Sequence, residues 1–171
     1  MIVWLNGAFG VGKTSVARAI VERWRGATLV DPERIGFVLS RLPPRYRGDF
    51  QDLPAWRAWT VRTVSVAARL ARHVVVPMTL VEPRYFEEIV GTLRQRGAVR
   101  HFTLVASPEV VRARLRGRGT CGWAEQQIDR CVRGLVGPRF EEYVPTERRP
   151  VAEIAASVLT SAGALDVPAA G

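Results

Sequence analysis

The eight residues from Gly7 to Thr14, Gly-Ala-Phe-Gly-Val-Gly-Lys-Thr, constrain the fold more than any other part of the chain. They match the G-x-x-x-x-G-K-[ST] pattern in full, between the apolar run 2–6 and a segment with helical periodicity. In this pattern the glycines let backbone N–H groups turn inward around phosphates, and the positive end of the next helix dipole faces the same anion. The spacing therefore predicts a phosphate-binding loop between a buried strand and a helix.

Two side chains of this loop have specific predicted roles. Lys13 would bridge the β- and γ-phosphates of ATP, and Thr14 would hold Mg²⁺ through its hydroxyl. Lys13 is also the only lysine among 25 basic side chains, and a compact ammonium differs chemically from a planar guanidinium. We therefore expect ATP, with Mg²⁺, to be bound by the whole loop: Gly7, Ala8, Phe9, Gly10, Val11, Gly12, Lys13 and Thr14.

Short apolar runs alternate with segments of helical periodicity along the chain. The pattern predicts strands at 2–6, 27–30, 73–78, 99–106 and 143–144. It predicts helices at 14–25, 32–41, 54–72, 83–96, 108–116, 124–136 and 150–160. This alternation is typical of a parallel sheet covered by helices on both faces, a three-layer α/β/α fold. We expect one domain over residues 1–162 and a disordered tail over 163–171.

The composition narrows the class of protein. A length of 171 residues with 47% apolar and 24% charged side chains is ordinary for one globular domain. No apolar run reaches the roughly 20 residues of a membrane span, and the short apolar start lacks a basic lead-in, so export is not expected. Cys121 and Cys131 are interpreted as reduced thiols of a cytoplasmic protein. The net charge of +9 leaves nucleic-acid binding as a rival hypothesis, which the absence of a basic run or nucleic-acid motif disfavours.

The remaining segments favour one kind of phosphate-loop protein. The third strand ends Val76-Pro77, without the terminal aspartate that commonly holds Mg²⁺ in ATPases. No N-K-x-D stretch is present to recognise guanine, so a small-molecule kinase is favoured. Asp31, at the end of the second strand, is the predicted general base. Asp31-Pro32-Glu33 is also a good helix N-cap, and the two roles are compatible.

A basic segment follows the fourth strand. Arg114-Leu115-Arg116-Gly117-Arg118 resembles the R-L-x-x-R start of the lid in nucleotide and small-metabolite kinases, here at about 117–130. The resemblance implies that Arg114 stacks on adenine and that Arg118 reaches the phosphates. It further implies that Arg130 closes onto the transferring phosphoryl group. The alternative is an exposed basic helix without a ligand.

Blocks spread over nearly the whole chain resemble the bacterial tunicamycin-resistance protein family. They are Ile2–Gly10, Asp31-Pro32-Glu33 with Gly36-Phe37, Trp56-Arg57-Ala58, Val76–Thr79, His101–Leu104 and Gln127–Cys131. The resemblance implies a fold similar to chloramphenicol phosphotransferase and to nucleoside or shikimate kinases, with strand order 2-3-1-4-5. It also implies ATP binding and protection against tunicamycin, a uridine-containing, fatty-acylated nucleoside antibiotic.

The acceptor is expected to bind in the region 32–72. Phe37, Trp56 and Trp59 are predicted to stack on a uracil or line an acyl groove, and Arg57 to supply polar contacts. Core packing is the alternative for each aromatic ring. Thr79 and Glu82, which follow the third predicted strand, are weaker candidates for contacts with metal or substrate at the same edge of the sheet.

Together these features predict an ATP-dependent phosphotransferase acting on a hydroxyl of tunicamycin or a related nucleoside-like molecule. The alternative is a nucleotide-regulated protein that sequesters the drug without phosphorylating it. We expect no nucleic-acid partner and no membrane span, and the end of the chain carries no basic amphipathic extension that would favour membrane attachment.

Overall fold

The computed structural model of the protein describes residues 1–33, 36, 49–117, 119, 122–140 and 142–164. Its five strands are β1 (Ile2–Gly7), β2 (Ala27–Leu29), β3 (His73–Pro77), β4 (Val99–Val105) and β5 (Tyr143–Pro145). Its α-helices with bounds in the described part are α1 (Lys13–Arg23), α2 (Pro54–Leu70), α3 (Pro83–Phe86), α4 (Thr92–Arg96), α5 (Pro108–Arg116), α6 (Trp123–Gln126), α7 (Ile128–Gly134) and α8 (Val151–Ser161). Two short 3₁₀-helices span Phe50–Asp52 and Pro138–Phe140.

All five strands form one parallel sheet in the order β2-β3-β1-β4-β5, which confirms the predicted order. β1 lies at the centre, and its Val3 pairs with Val75 on one side and Arg100 on the other. Because the strands are parallel, their carboxyl ends meet at one edge. Ligands of such sheets bind outside this edge.

The core has two halves because successive side chains of a strand point to opposite faces of the sheet. Val3 and Leu5 pack with residues of α1 and α8 on one face. Ile2 and Trp4 pack with residues of α2 and of the segment between β3 and β4 on the other face. Each face is therefore sealed by helices, which gives the predicted three layers.

Two predicted helices are interrupted in the structure. The helix expected over 83–96 contains a π-helical turn, Glu87–Gly91, between α3 and α4. The helix expected over 124–136 is divided into α6 and α7 at Gln127, whose backbone φ of −84° and ψ of −8° depart from helical values. Apolar periodicity continues through both interruptions, so it did not reveal them. Among the described residues, no helix has the length and apolar character needed to cross a membrane.

Asn6 fixes the carboxyl edge of the sheet at its centre. Its Oδ1 accepts hydrogen bonds from the backbone N–H groups of Gly7 and Leu80, both at 2.9 Å. Its Nδ2 donates to the carbonyl oxygen of Leu80 at 2.9 Å. This fully buried amide therefore joins the start of the phosphate loop to the segment after β3.

Replacing Asn6 with Leu is expected to lower the free energy of unfolding by about 3 kcal/mol, because three buried backbone groups lose their partners. Urea denaturation measures this change. The matched control is Gln95→Leu, which removes an exposed amide and should change stability by less than about 0.5 kcal/mol. Equal effects of the two substitutions would contradict the role given to Asn6.

Candidate functional site

The phosphate loop between β1 and α1 has a backbone that only glycine tolerates well. Gly7 has φ of 146° and Gly12 has φ of 112°, both in the region that disfavours L side chains. A Cβ on Gly7 would also lie 2.7 Å from the carbonyl oxygen of Leu104. The loop therefore turns closely around the end of β1 and delivers the chain into α1 at Lys13.

Lys13 is buried inside this loop, with 7% of its surface exposed. Its Nζ donates to the carbonyl oxygens of Gly7 at 2.9 Å and Ala8 at 3.0 Å. Burial lowers the pKa of Lys13 to about 8, and the negative charge of Glu33 is the largest influence in the opposite direction. The ammonium is therefore held at the bottom of the loop, where a phosphate can replace the two carbonyl groups.

A cavity of about 140 Å³ opens in front of Lys13, and we name it the phosphate-side cavity. Its lining combines loop residues with two carboxylates and the end of β3: Phe9, Gly10, Gly12, Lys13, Thr14, Ser15, Asp31, Glu33 and Pro77. The structure thus brings the predicted base Asp31 and the predicted metal ligand Thr14 into the same cavity as Lys13.

Glu33 is a site residue to which the sequence analysis gave no role of its own. Burial raises the pKa of Glu33, while Lys13 lowers it and Asp31 raises it further. The backbone N–H of Glu33 donates to Oδ1 of Asp31 at 3.1 Å, so Asp31 forms the predicted cap. A second acid two residues after the predicted base was the signal that could have identified Glu33.

The residues of this cavity fit ATP and Mg²⁺. Thr14 is exposed to the cavity, and its hydroxyl and the two carboxylates are oxygen donors, which Mg²⁺ prefers. In the described part of the chain no group of three or more His, Cys, Asp or Glu could hold a metal ion. Mg²⁺ commonly takes one or two protein ligands together with substrate phosphates, so a nucleotide would complete its coordination.

A second cavity adjoins the first, and Phe9 lines both. We name it the acceptor-side cavity. Its remaining lining is mainly polar and comes from the segments before α2, after β3 and along α7: Asp49, Gln51, Asp52, Thr79, Val81, Glu82, Tyr85, Gln127, Arg130 and Cys131. The weaker candidates Thr79 and Glu82 therefore lie here. Thr79 is buried, and its hydroxyl donates to the carbonyl oxygen of Gly7 at 2.9 Å.

Arg57 supports the acceptor-side cavity from behind. Its Nε forms an ion pair with Glu88 at 2.7 Å, and its Nη1 donates to the carbonyl oxygen of Gln51 at 2.6 Å. The guanidinium also stacks 4.4 Å from the ring centroid of Tyr85. Glu88 belongs to the π-helical turn, so this partner could not be predicted from a regular helix. These contacts engage Arg57 within the protein, and its direct contact with substrate stays a prediction.

The two predicted tryptophans do not share one surface. Trp56 is fully buried in the core, and its indole N–H donates to the carbonyl oxygen of Pro32 at 3.1 Å. Trp59 is 57% exposed on the outer face of α2. The structure therefore gives Trp56 the core-packing role that was the alternative for each ring. Phe37 lies outside the described residues.

The predicted lid arginines lie in different environments. Arg114 donates through Nη1 to the carbonyl oxygen of Val11 at 3.0 Å and through Nη2 to that of Thr146 at 2.8 Å. These bonds tie the half-buried guanidinium to the phosphate loop and to the residue after β5. Arg130 is exposed and lines the acceptor-side cavity. Arg118 lies outside the described residues.

This loop, sheet order and pair of cavities define a P-loop nucleotide-binding protein with a kinase-like fold. Residues 2–141 match the model of a family described as an AAA domain. The tunicamycin resistance protein of Deinococcus radiodurans has 31% sequence identity and a TM-score of 0.81, with 95% of each chain covered. The chain therefore belongs to the AAA domain family and also to the tunicamycin-resistance proteins.

Two kinase structures share the fold at lower identity. A gluconokinase from Sinorhizobium meliloti has 20% identity and a TM-score of 0.69, covering 95% of this chain and 91% of that one. A shikimate kinase from Bacteroides thetaiotaomicron has 18% identity and a TM-score of 0.62, covering 96% and 99%. A comparison with curated proteins gave no match.

The lowered pKa of Lys13 predicts a pH dependence of nucleotide affinity. Above pH 8 the free protein loses the ammonium charge, whereas a bound triphosphate stabilises it, so affinity for Mg-ATP should fall by up to about tenfold per pH unit. Fluorescence titration between pH 7 and 10 measures this. Lys13→Met should bind weakly with a flat profile over the same range. An unchanged wild-type affinity at pH 9.5 would contradict the prediction.

Proposed function

We propose that this chain is an ATP-dependent phosphotransferase that moves the γ-phosphoryl group to a hydroxyl of tunicamycin or a related nucleoside-like molecule. The observation that carries the proposal is that the phosphate-side cavity and the acceptor-side cavity share Phe9 as a lining residue. One contains Lys13 of the phosphate loop with two carboxylates, and the other has the mixed polar wall of a small-molecule site. A phosphoryl donor and an acceptor bound in these cavities would face each other.

The comparisons support the two parts of this proposal separately. Membership in the tunicamycin-resistance proteins supports the drug as the acceptor. The fold shared with a gluconokinase and a shikimate kinase supports phosphoryl transfer as the reaction. We further propose that residues 1–162 act as one unit and that the reaction occurs in the cytoplasm, which supplies ATP.

The proposed roles follow from the position of each charged group. Lys13 binds the phosphates and, with Arg118 and Arg130, offsets the charge that spreads over the transferring group. Thr14 would hold Mg²⁺, which would supply positive charge to offset the repulsion between the phosphates and the incoming hydroxyl. Asp31 accepts the proton of the acceptor hydroxyl as its oxygen attacks the γ-phosphorus, and the bond from that phosphorus to the bridging oxygen breaks to release ADP.

Two further groups complete the proposed arrangement. Arg114 presents the face of its guanidinium to the adenine, while its hydrogen bonds hold Val11 and Thr146. Glu33 balances the charge of Lys13, and its raised pKa makes it the second candidate for the base. Substitution of each carboxylate in turn distinguishes the two.

Incubation with ATP, Mg²⁺ and tunicamycin is expected to give a product heavier by one phosphate, detected by mass spectrometry. Asp31→Asn should lower the rate by about 10² to 10⁴, the range for loss of a general base, with nucleotide affinity retained. Glu33→Gln should have the smaller effect on the rate. The control is Glu22→Gln, an exposed carboxylate on α1, which should leave the rate unchanged.

Two results would contradict this proposal. One is nucleotide and drug binding without any phosphorylated product. The other is a full transfer rate in both Asp31→Asn and Glu33→Gln, because the hydroxyl proton would then need another acceptor.

Sequestration of the drug is the second candidate function, and Pro77 is the observation that favours it. Pro77 ends β3 and lines the phosphate-side cavity at the place where many P-loop ATPases carry a metal-binding aspartate. A nucleotide bound beside a poorly held metal would act as a conformational ligand rather than a donor.

Drug sensitivity of cells that produce variants at matched protein levels separates the two functions. Under sequestration, protection rises with the amount of protein, survives Asp31→Ala and is lost in Lys13→Ala, because only nucleotide binding is required. Under phosphotransfer, both variants lose protection. Protection that persists in both would contradict both functions.

A further inference from the structure

The described wall of the acceptor-side cavity is rich in carboxylates although the whole chain is basic. Asp49, Asp52 and Glu82 line the cavity, and Arg130 is the one cationic side chain among its described lining residues. The formal charge of that lining is therefore negative, whereas the chain carries +9. Local charge of this kind selects among ligands by sign.

Protein donors engage one oxygen of each carboxylate. Oδ1 of Asp49 accepts from the backbone N–H of Gln51 at 3.0 Å, and Oδ1 of Asp52 accepts from the hydroxyl of Tyr85 at 2.9 Å. Oε1 of Glu82 accepts a hydrogen bond from the backbone N–H of Arg84 at 3.4 Å and forms an ion pair with Nε of Arg84, also at 3.4 Å. Within the described residues, no hydrogen bond uses the second oxygens, which are acceptors for a hydroxyl or ammonium of a ligand.

Two further cations lie beside this wall, Arg84 and Arg57, and counting the exposed Arg84 with the lining still leaves a negative formal charge. Arg57 is held behind it by the 2.7 Å ion pair with Glu88, and its side chain is 10% exposed. The ring of Tyr85, which lines the cavity, lies 4.4 Å from the guanidinium of Arg57, and Arg57 is not among the described lining residues. An anionic ligand would therefore meet the carboxylates without direct access to Arg57.

From this wall, and resting on the proposed function, we infer that the acceptor-side cavity takes a neutral or cationic, hydroxyl-rich moiety such as a sugar or amino sugar. Hydroxyl groups donate to the second carboxylate oxygens and accept from Arg130 and from the amide of Gln127. Sugar and cyclitol acids are rejected because their carboxylate repels the same wall.

The inference rests on the charge of the side chains that line the cavity and not on the volume of the cavity. Its volume of about 30 Å³ holds on the order of one or two water molecules. A sugar ring therefore enters only when the walls separate, and the charges of the side chains, which persist during such movement, determine the preference.

Ligand-observed NMR on the protein saturated with Mg²⁺ and a non-hydrolysable ATP analogue tests the inference. The probes are N-acetylglucosamine, glucosamine, gluconate and shikimate. We expect the first two to bind at least about tenfold more tightly than the two anions. Asp52→Asn combined with Glu82→Gln should reduce this ratio toward one, whereas the exposed-site control Glu22→Gln should leave it unchanged.

Each other outcome overturns the inference. Gluconate or shikimate binding as tightly as the neutral sugar shows that the wall does not select by charge. Binding of the nucleotide analogue with none of the four probes shows that the cavity is not a sugar site and leaves the proposed nucleotide site standing. Failure to bind the nucleotide analogue refutes the proposed function, and this inference falls with it.

Discussion

The burial of one ammonium group by the phosphate loop is the interaction on which the rest of the site depends. Nζ of Lys13 lies between two loop carbonyl oxygens, and the carbonyl of Gly7 also accepts the hydroxyl of Thr79. Desolvating this charge costs free energy, which is why the pKa of Lys13 falls to about 8. A bound triphosphate would compensate for that cost, so the folded chain is prepared for a polyanion at this one position.

The same contacts explain why the phosphate-side cavity and the acceptor-side cavity lie next to each other. β1 and β3 are neighbours in the parallel sheet, so the phosphate loop and the segment after β3 leave the same edge side by side. Asn6 and Thr79 then tie the two segments together through backbone groups. Gln51 extends this connection, since its Nε2 donates to the carbonyl of Thr79 at 3.0 Å. The acceptor wall is thereby built directly on the phosphate loop.

Sequence predicted the parts of this arrangement that are local. The loop motif and the alternation of strands and helices define the fold, and family resemblance supplied the strand order. The partners of Arg57 could not be predicted, because Glu88 reaches it from 31 residues away on a π-helical turn. The burial of Trp56 was also not predicted from the sequence. Its helical spacing from Trp59 gave no indication that one ring enters the core and the other faces solvent.

The net charge of the chain is positive, whereas the described lining of the acceptor-side cavity has a negative formal charge. Several arginines form ion pairs at the surface, such as Arg100 with Glu142 and Arg139 with Glu87. Such pairs contribute little to stability and are screened by salt. Charges beside the cavities are fewer but act at short range in a lower dielectric. Under the proposed function, Lys13 on the phosphate side and the carboxylates on the acceptor side would therefore decide which ligand binds, whatever the overall charge of +9.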